Sequence, residues 1–369
     1  MKEFGMSAKY QIIAQELRAQ MLSNQSIKSY KLPTEQELCI RYQVSRQTVR
    51  QALHTLEEEK LIIRRQGSGA YTVPQAELLR KKKIILMISE TNEYTYPGFI
   101  SDIESVLRAQ GLALSVLITH NDINIERTLL TQLLDQSVSI LLIEGIQSSF
   151  SNPNIDLYEK IQLSGTPIIF INHHYPEIQN AAFICTDDIA GGHLLGEYLI
   201  SNGLRNPAAI LPDFSQNAKQ RFFGLQTAYR DAFLSMPFQH IFWYAENDVH
   251  TLRLRQDTGF LTNAIRQFAD KCDCFFCYSD EIAYWLIKEL TYSGFSVPSQ
   301  ISVVCFDNSY LCTLSRPSIT SLGLPIHEPG YTIGNMILDI LHEEKTENKT
   351  LPWKLFPRGS VISLNTSYF

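Results

Sequence analysis

Arg46, Gln47, Thr48 and Arg50 crowd together directly behind Ser45. Guanidinium, amide and hydroxyl groups at this density can donate hydrogen bonds, often in pairs, to phosphate oxygens and to the edges of bases. Val49, Ala52, Leu53 and Leu56 recur among them at three- and four-residue spacing, so a helix would bury those four on one stripe and leave the polar set outside. Ser45 stands where its hydroxyl can accept from a free backbone N–H of the first turn, and that end of a helix favours an approaching phosphate. Taken alone, a short amphipathic helix with two arginines reads as a solvated surface.

Its neighbours change that reading. Upstream, Leu32–Leu38 (LPTEQEL) predicts a shorter helix at about a right angle, the pairing that places a second helix in a DNA major groove. Downstream, KLIIRRQGSGAYTV (Lys60–Val73) sets two β-rich runs around Gln66, Gly67, Ser68 and Gly69. The two glycines permit a tight hairpin with positive φ, whose tip can lie against a minor groove. Arg46, Gln47 and Arg50 are the expected base or phosphate contacts, and Thr48 a phosphate contact.

Other chemistries find less support. Cys274 and Cys277 have metal-ligand spacing, with Cys272 beside them, but no second pair completes four ligands and the run predicts a buried strand. No Gly-x-Ser-x-Gly, GxxxxGK[ST] or strand-borne GxGxxG is present, so no enzyme, metal or cofactor is implied. The seven cysteines are an odd number and give no disulfide framework. No apolar run reaches the ~18 residues of a membrane span, and the N-terminus lacks a secretion signal, so a cytoplasmic protein without membrane contact is expected.

The elements that must position these residues divide the 369-residue chain. Residues 1–73 form the first unit, opened by a helix over Tyr10–Leu22 with Ile13, Leu17 and Met21 on its inner face; 74–83 is a polar, basic linker; 84–369 is the body. The net charge of −6 is split: residues 1–83 hold 15 Lys/Arg against 8 Asp/Glu, a surplus of +7, which leaves −13 for the rest. Positive charge is thus concentrated where phosphates would be neutralised.

From Ile84 onward, short β-branched runs (84–89, 113–118, 139–143, 167–171, 183–186) alternate with helical segments, and the alternation restarts at Ile189. Two doubly wound α/β halves, a helix over Glu328–His342 and closing strands near 351–362 predict a bilobed domain, its ligand cleft lined by the loops after the strands. Glu93, Tyr94 and Tyr96 follow the first strand and Glu144 the third, at the expected cleft mouth. Trp243 is expected in the core rather than as a stacking face.

Residues 8–73 resemble the winged helix-turn-helix of GntR-type regulators. Leu-Pro-Thr-Glu-x-Glu-Leu (32–38), Val-Ser-Arg-x-Thr-Val-Arg-x-Ala-Leu-x-x-Leu (44–56) and Gln-Gly-x-Gly-type spacing (66–69) carry the likeness, which adds Glu35 to the expected DNA contacts. Gln36 departs from the basic residue common there. Residues 84–363 are similar to the periplasmic-sugar-binding-type domain of LacI-type repressors: Asp187 with Gly191-Gly192, Arg221 with Gly224, Ser279-Asp280-Glu281-Ile282-Ala283, Val304–Asn308 and Arg358-Gly359-Ser360 match its motifs. His173 replaces a usual arginine.

The resemblance implies a winged helix-turn-helix (α+β) joined to a bilobed α/β periplasmic-binding-protein-like domain. It further implies a homodimer that binds double-stranded operator DNA and is released by a monosaccharide, with L-arabinose the first expectation because this pairing of head and body resembles arabinose-responsive repressors. Asp187, Arg221, Asp280, Asp307 and His173 join Glu93, Tyr94 and Glu144 as the expected sugar contacts.

Overall fold

The computed structural model describes residues 9–23, 29–59, 61–65, 68–73, 82–90, 96–146, 150–172, 174–235 and 239–363. Of the expected sites, Gln66, Gly67, Glu93, Tyr94 and His173 lie outside the described residues, as does most of the expected linker. The chain divides into two compact units, one of Met1–Lys83 with Leu107–Ala113 and the other of Ile84–Val106 with Leu114–Phe369; the first 83 residues are called the head and the rest the body.

The head has helices α1 (Lys9–Ser23), α2 (Glu35–Tyr42) and α3 (Arg46–Glu58), then strands β1 (Ile62–Arg65) and β2 (Gly69–Thr72). Thr34 caps α2 through a reciprocal box in which the Glu37 N–H donates to the Thr34 hydroxyl at 3.3 Å and the Thr34 N–H to the Glu37 carboxylate at 2.7 Å. Gln43 ends that helix in the left-handed region, φ 50°, and turns the chain toward α3. The predicted stripe of Val49, Ala52, Leu53 and Leu56 is buried, packed with Ile13, Ala14, Leu17, Leu38 and Ile62. β1 and β2 pair antiparallel from Ile62 opposite Thr72 to Arg65 opposite Gly69.

The first lobe of the body contains β3 (Ile84–Ile88), α4 (Tyr96–Ala109), β4 (Leu114–Ile118), α5 (Ile123–Leu134), β5 (Ile140–Ile143), α6 (Ile155–Leu163), β6 (Ile168–Asn172) and β7 (Ala182–Thr186). The second contains α7 (Asp188–Ser201), β8 (Pro207–Pro212), α8 (Gln216–Asp231), β9 (Ile241–Tyr244), α9 (Glu246–Arg255), α10 (Gly259–Phe268), β10 (Cys274–Cys277), α11 (Asp280–Tyr292), β11 (Ser302–Phe306), α12 (Tyr310–Leu314) and β12 (Thr320–Gly323). Then come α13 (Glu328–Leu341), β13 (Lys349–Leu351) and β14 (Lys354–Phe356).

The sheets run β13-β7-β6-β5-β3-β4 and β14-β12-β11-β10-β8-β9, parallel apart from β14. Both faces of each are covered, which is why the central strands read as unbroken Ile, Leu, Val and Phe. The linear reading of one half after the other is corrected at the end of the chain. Gly330 and Gly334 of α13 lie against Asp102 and Val106 of α4, and β13 pairs with β7, so the chain returns to the first lobe before β14 joins the second. The chain therefore crosses between lobes after β7, after β12 and after β13, all at one edge of each sheet. At the opposite edge, past β4 and β9, the Asn121 amide donates to Glu246 Oε1 across the gap at 3.0 Å.

Candidate functional sites

In the head, Ser45 caps α3: its hydroxyl accepts from the Thr48 N–H at 3.2 Å. With one stripe buried, Arg46, Gln47 and Arg50 face outward, the two arginine side chains 71% and 58% exposed. Glu35, at the first turn of α2, receives both, Arg46 Nε at 2.9 Å and Arg50 Nε at 3.0 Å. Burial is the largest single influence on its carboxyl and pushes the pKa up, but hydrogen bonds from the two guanidinium groups outweigh it and hold the group below the ordinary range. Glu35 is thus occupied as an anchor for the two arginines.

The hairpin is tied to the same helix, since Arg64 Nη2 donates to the Arg50 carbonyl at 3.1 Å and pairs with Glu57. Gly69 takes φ +110°, which a side chain would strain, and the Ser68 N–H closes the turn on the Arg65 carbonyl at 2.9 Å. Lys9 and Tyr10 share a shallow groove with Ser45, Gln47, Thr48 and Gln51. Those two, with Arg64, add to the face that the recognition motif singled out.

In the body, α7 and α8 cross at Gly192 and Gly224. A Cβ on Gly192 would stand 1.8 Å from the Arg221 carbonyl oxygen, and one on Gly224 2.0 Å from that of Ile189. This close crossing brings Arg221 within 2.8 Å of Asp188. Gly192→Ala is therefore expected to cost at least ~1–3 kcal/mol by forcing the helices apart, and to weaken any ligand held by Arg221; an unchanged thermal melt would contradict the packing role.

Arg221 is 5% exposed yet lines the cleft. Nε donates to Asp188 Oδ1, Nη1 donates to the Tyr278 carbonyl at 2.8 Å, and Asp307 Oδ1 stands 3.8 Å away. The rings of Phe306, Tyr278 and Trp353 surround the guanidinium with centroids 4.2, 4.7 and 5.0 Å from its carbon. Burial works against its charge, but Asp188, Tyr278 and Asp307 more than compensate and raise its pKa, so it is a fixed cation. Burial pushes the Asp188 carboxyl up, opposed by Arg221, and pushes the Tyr278 hydroxyl up to about 12. Asp307 and Asn308 adopt φ 89° and 55°, a turn that presents the Asp307 carboxylate beside Arg221.

Across the cleft Glu144 is buried after β5. It accepts from the Tyr96 hydroxyl at 2.5 Å, Ser89 Oγ at 3.0 Å and the Asn172 amide at 2.7 Å. The cleft, about 1440 Å³, is lined from both lobes. It offers a carboxylate and amide wall, a caged guanidinium, a second carboxylate and aromatic faces, which together can bridge neighbouring hydroxyls on a ring and stack against its apolar side.

Two expected sugar contacts lie elsewhere. Asp187 is exposed and caps α7, accepting from the Ala190 N–H at 2.9 Å, so its neighbour Asp188 is the one that turns inward. Asp280 is buried behind the cleft and accepts from the Ser309 N–H at 2.6 Å, bracing the loop that carries Asp307. Trp243 is 44% exposed on an edge strand, contrary to the core reading. Asp188, Tyr278 and Trp353 escaped the sequence reading. Helix-cap geometry could have flagged Asp188, because the residue after a capping aspartate is free to point away from the backbone.

Residues 9–72 match the model of the bacterial regulatory proteins of the gntR family, and 196–361 that of the periplasmic binding protein-like domain. The chain is 27% identical over 348 residues to the arabinose metabolism transcriptional repressor of Halalkalibacterium halodurans, covering 93% of this chain and 92% of that one. It is 29% identical over 341 residues to the protein of the same name from Geobacillus stearothermophilus, covering 92% and 93%. The chain is a transcriptional repressor with a GntR-family head. The body of this repressor has the fold of a periplasmic binding protein/LacI transcriptional regulator from Alkaliphilus metalliredigens complexed with D-xylulofuranose, with a TM-score of 0.65 and 24% identity over 77% of this chain and all of that one. It is also similar in fold to the transcriptional regulator CelR in complex with cellobiose, with a TM-score of 0.64 and 22% identity over 86% and 92%. These relatives are regulators, not enzymes. Among the described residues of the repressor, no group of three His, Cys, Asp or Glu could hold a metal ion, and no helix is long and apolar enough to cross a membrane.

Proposed function

We propose that this repressor binds a two-fold-related operator as a cytoplasmic homodimer and is released when a monosaccharide, L-arabinose first, occupies the interlobe cleft. The observation that carries this reading is the buried Arg221, held open to the cleft beside Asp307 and facing the Glu144 wall. The relatives named for arabinose metabolism point to the pentose. Glu144, Arg221 and Asp307, with Asn172, form the proposed sugar set; Arg46, Gln47, Thr48, Arg50, Ser68 and Gly69 form the proposed DNA set, with Glu35 and Ser45 acting on it from behind. The proposed boundaries are a head through residue 73, a linker over 74–83 and a body from 84.

A cleft of this volume exceeds what one sugar ring fills, so binding favours a state in which the lobes approach each other about the three crossings. Sugar shifts DNA affinity only by as much as it prefers the state whose paired heads no longer match the operator. The test is a gel-shift titration on DNA flanking the repressor's own gene at fixed salt. Loss of the shifted band with L-arabinose, and not with glucose or other pentoses, is the expected result; release by a different sugar keeps the mechanism and replaces the effector, and no band with any DNA would overturn the reading.

A further inference from the structure

Behind the first-lobe wall lies a second buried carboxylate, Glu126 of α5, which is fully inaccessible and has no ion pair among the described residues. Neutral donors satisfy it. Asn152 and Asn154 amides donate to Oε2 at 2.8 and 2.7 Å, and the Tyr158 hydroxyl donates to Oε1 at 2.5 Å. The Asn152 amide also donates to the Tyr175 hydroxyl at 2.7 Å, and the Ile146 backbone N–H acts on that hydroxyl to lower its pKa against the effect of burial. The Tyr175 ring packs edge-on against Phe170 and beside Tyr158, with centroids 5.3 and 5.6 Å apart.

The positions of these groups in the chain give the network its meaning. Ile146 lies two residues beyond Glu144, and Tyr175 three beyond Asn172, the two side chains that meet in the cleft at 2.7 Å. Asn172 holds φ 66°, a conformation that persists in a residue with a side chain only where its surroundings fix it. One hydroxyl therefore pins the chain after β5 to the chain after β6, and Glu126 anchors both to α5. Tyr158 donates to the same carboxylate from within α6, and it meets the segment after β6 only through its ring against Tyr175, a contact that phenylalanine keeps.

We propose that Tyr175, backed by Glu126 and Asn152, is a positioning residue for the effector cleft: it sets the spacing of Glu144 and Asn172 without touching the ligand. The claim about the ligand rests on the effector reading above; the claim about the two segments does not. The test compares full-length Tyr175→Phe with Tyr158→Phe, since each removes one hydroxyl from the same network and keeps the ring.

Hydrogen exchange is measured without sugar at amides 144–146 and 174–178, followed by titration with a panel of L-arabinose, D-xylose, D-ribose and D-glucose. Tyr175→Phe is expected to speed exchange at both segments and to weaken whichever sugar binds the parent protein by about tenfold. Tyr158→Phe is expected to lower the melting temperature while leaving both readouts within about twofold. Operator affinity without sugar stays unchanged in both. Equal exchange in the two variants, or equal sugar affinity, overturns the proposal. If no sugar in the panel binds the parent protein, the effector reading fails, and the exchange comparison still decides whether Tyr175 couples the segments.

Discussion

Arg221→Met is expected to leave a repressor that holds its operator at any sugar concentration. The guanidinium lines the cleft where a ring hydroxyl would accept from it, in a cage of Tyr278, Phe306 and Trp353 that leaves it 5% exposed, and methionine supplies no donor. The change also strands Asp188, a carboxyl 3% exposed that burial pushes up and Arg221 opposes, and breaking such a buried pair from one side costs ~3–5 kcal/mol. Loss of response in the single variant could therefore come from a weakened second lobe. The double variant Asp188→Asn/Arg221→Met separates the two causes, because replacing both partners removes the stranded charge and restores much of the lost stability. If sugar response returns with stability, Arg221 is a brace. If the melt recovers and the response does not, Arg221 binds the effector.

The second large effect is in the head. Arg46→Ala/Arg50→Ala is expected to weaken operator binding by ~10²–10⁴-fold, the sum of two arginine contacts worth ~1–3 kcal/mol each. The fold should barely respond: the pairs with Glu35 are exposed, and such pairs are worth ~0–1 kcal/mol. Sugar affinity measured on the same protein should match the parent, since neither residue lines the cleft. Operator binding within about threefold of the parent would show that α3 is not the reading helix.

The contrast between what could and could not be read ahead follows from locality. Ile140–Ile143 or Cys274–Cys277 is apolar at every position because both sheet faces are covered, so a buried strand is written into each run. Helix α9 carries only Val249, Leu252 and Leu254 among polar residues and buries only Leu252 fully, too thin a stripe to signal. β12, Thr-Ser-Leu-Gly, is short and half polar yet buried throughout, because its hydroxyls are satisfied by residues far along the chain such as Arg358. The return of α13 and β13 to the first lobe depends on pairing with β7, a contact between residues more than a hundred and fifty apart. Motif likeness brought the eye to the right helix starts but could not say which of Asp187 and Asp188 faces inward, nor that Asp280 serves Ser309.

The carboxylate shared by Arg46 and Arg50 also bears on how the head searches a genome. Most cationic proteins gain entropy on meeting any duplex, because ions condensed on the phosphates escape into bulk as the cations take their place. Here the two arginines arrive with half of their charge offset by Glu35, an anion on a tether, which cannot diffuse away when a phosphate displaces it. Part of the gain that makes indiscriminate binding favourable is spent re-solvating that carboxylate. On the proposed reading, base edges that engage both guanidiniums in register would repay the exchange where random backbone would not, so a built-in competitor would sharpen the difference between operator and bystander DNA.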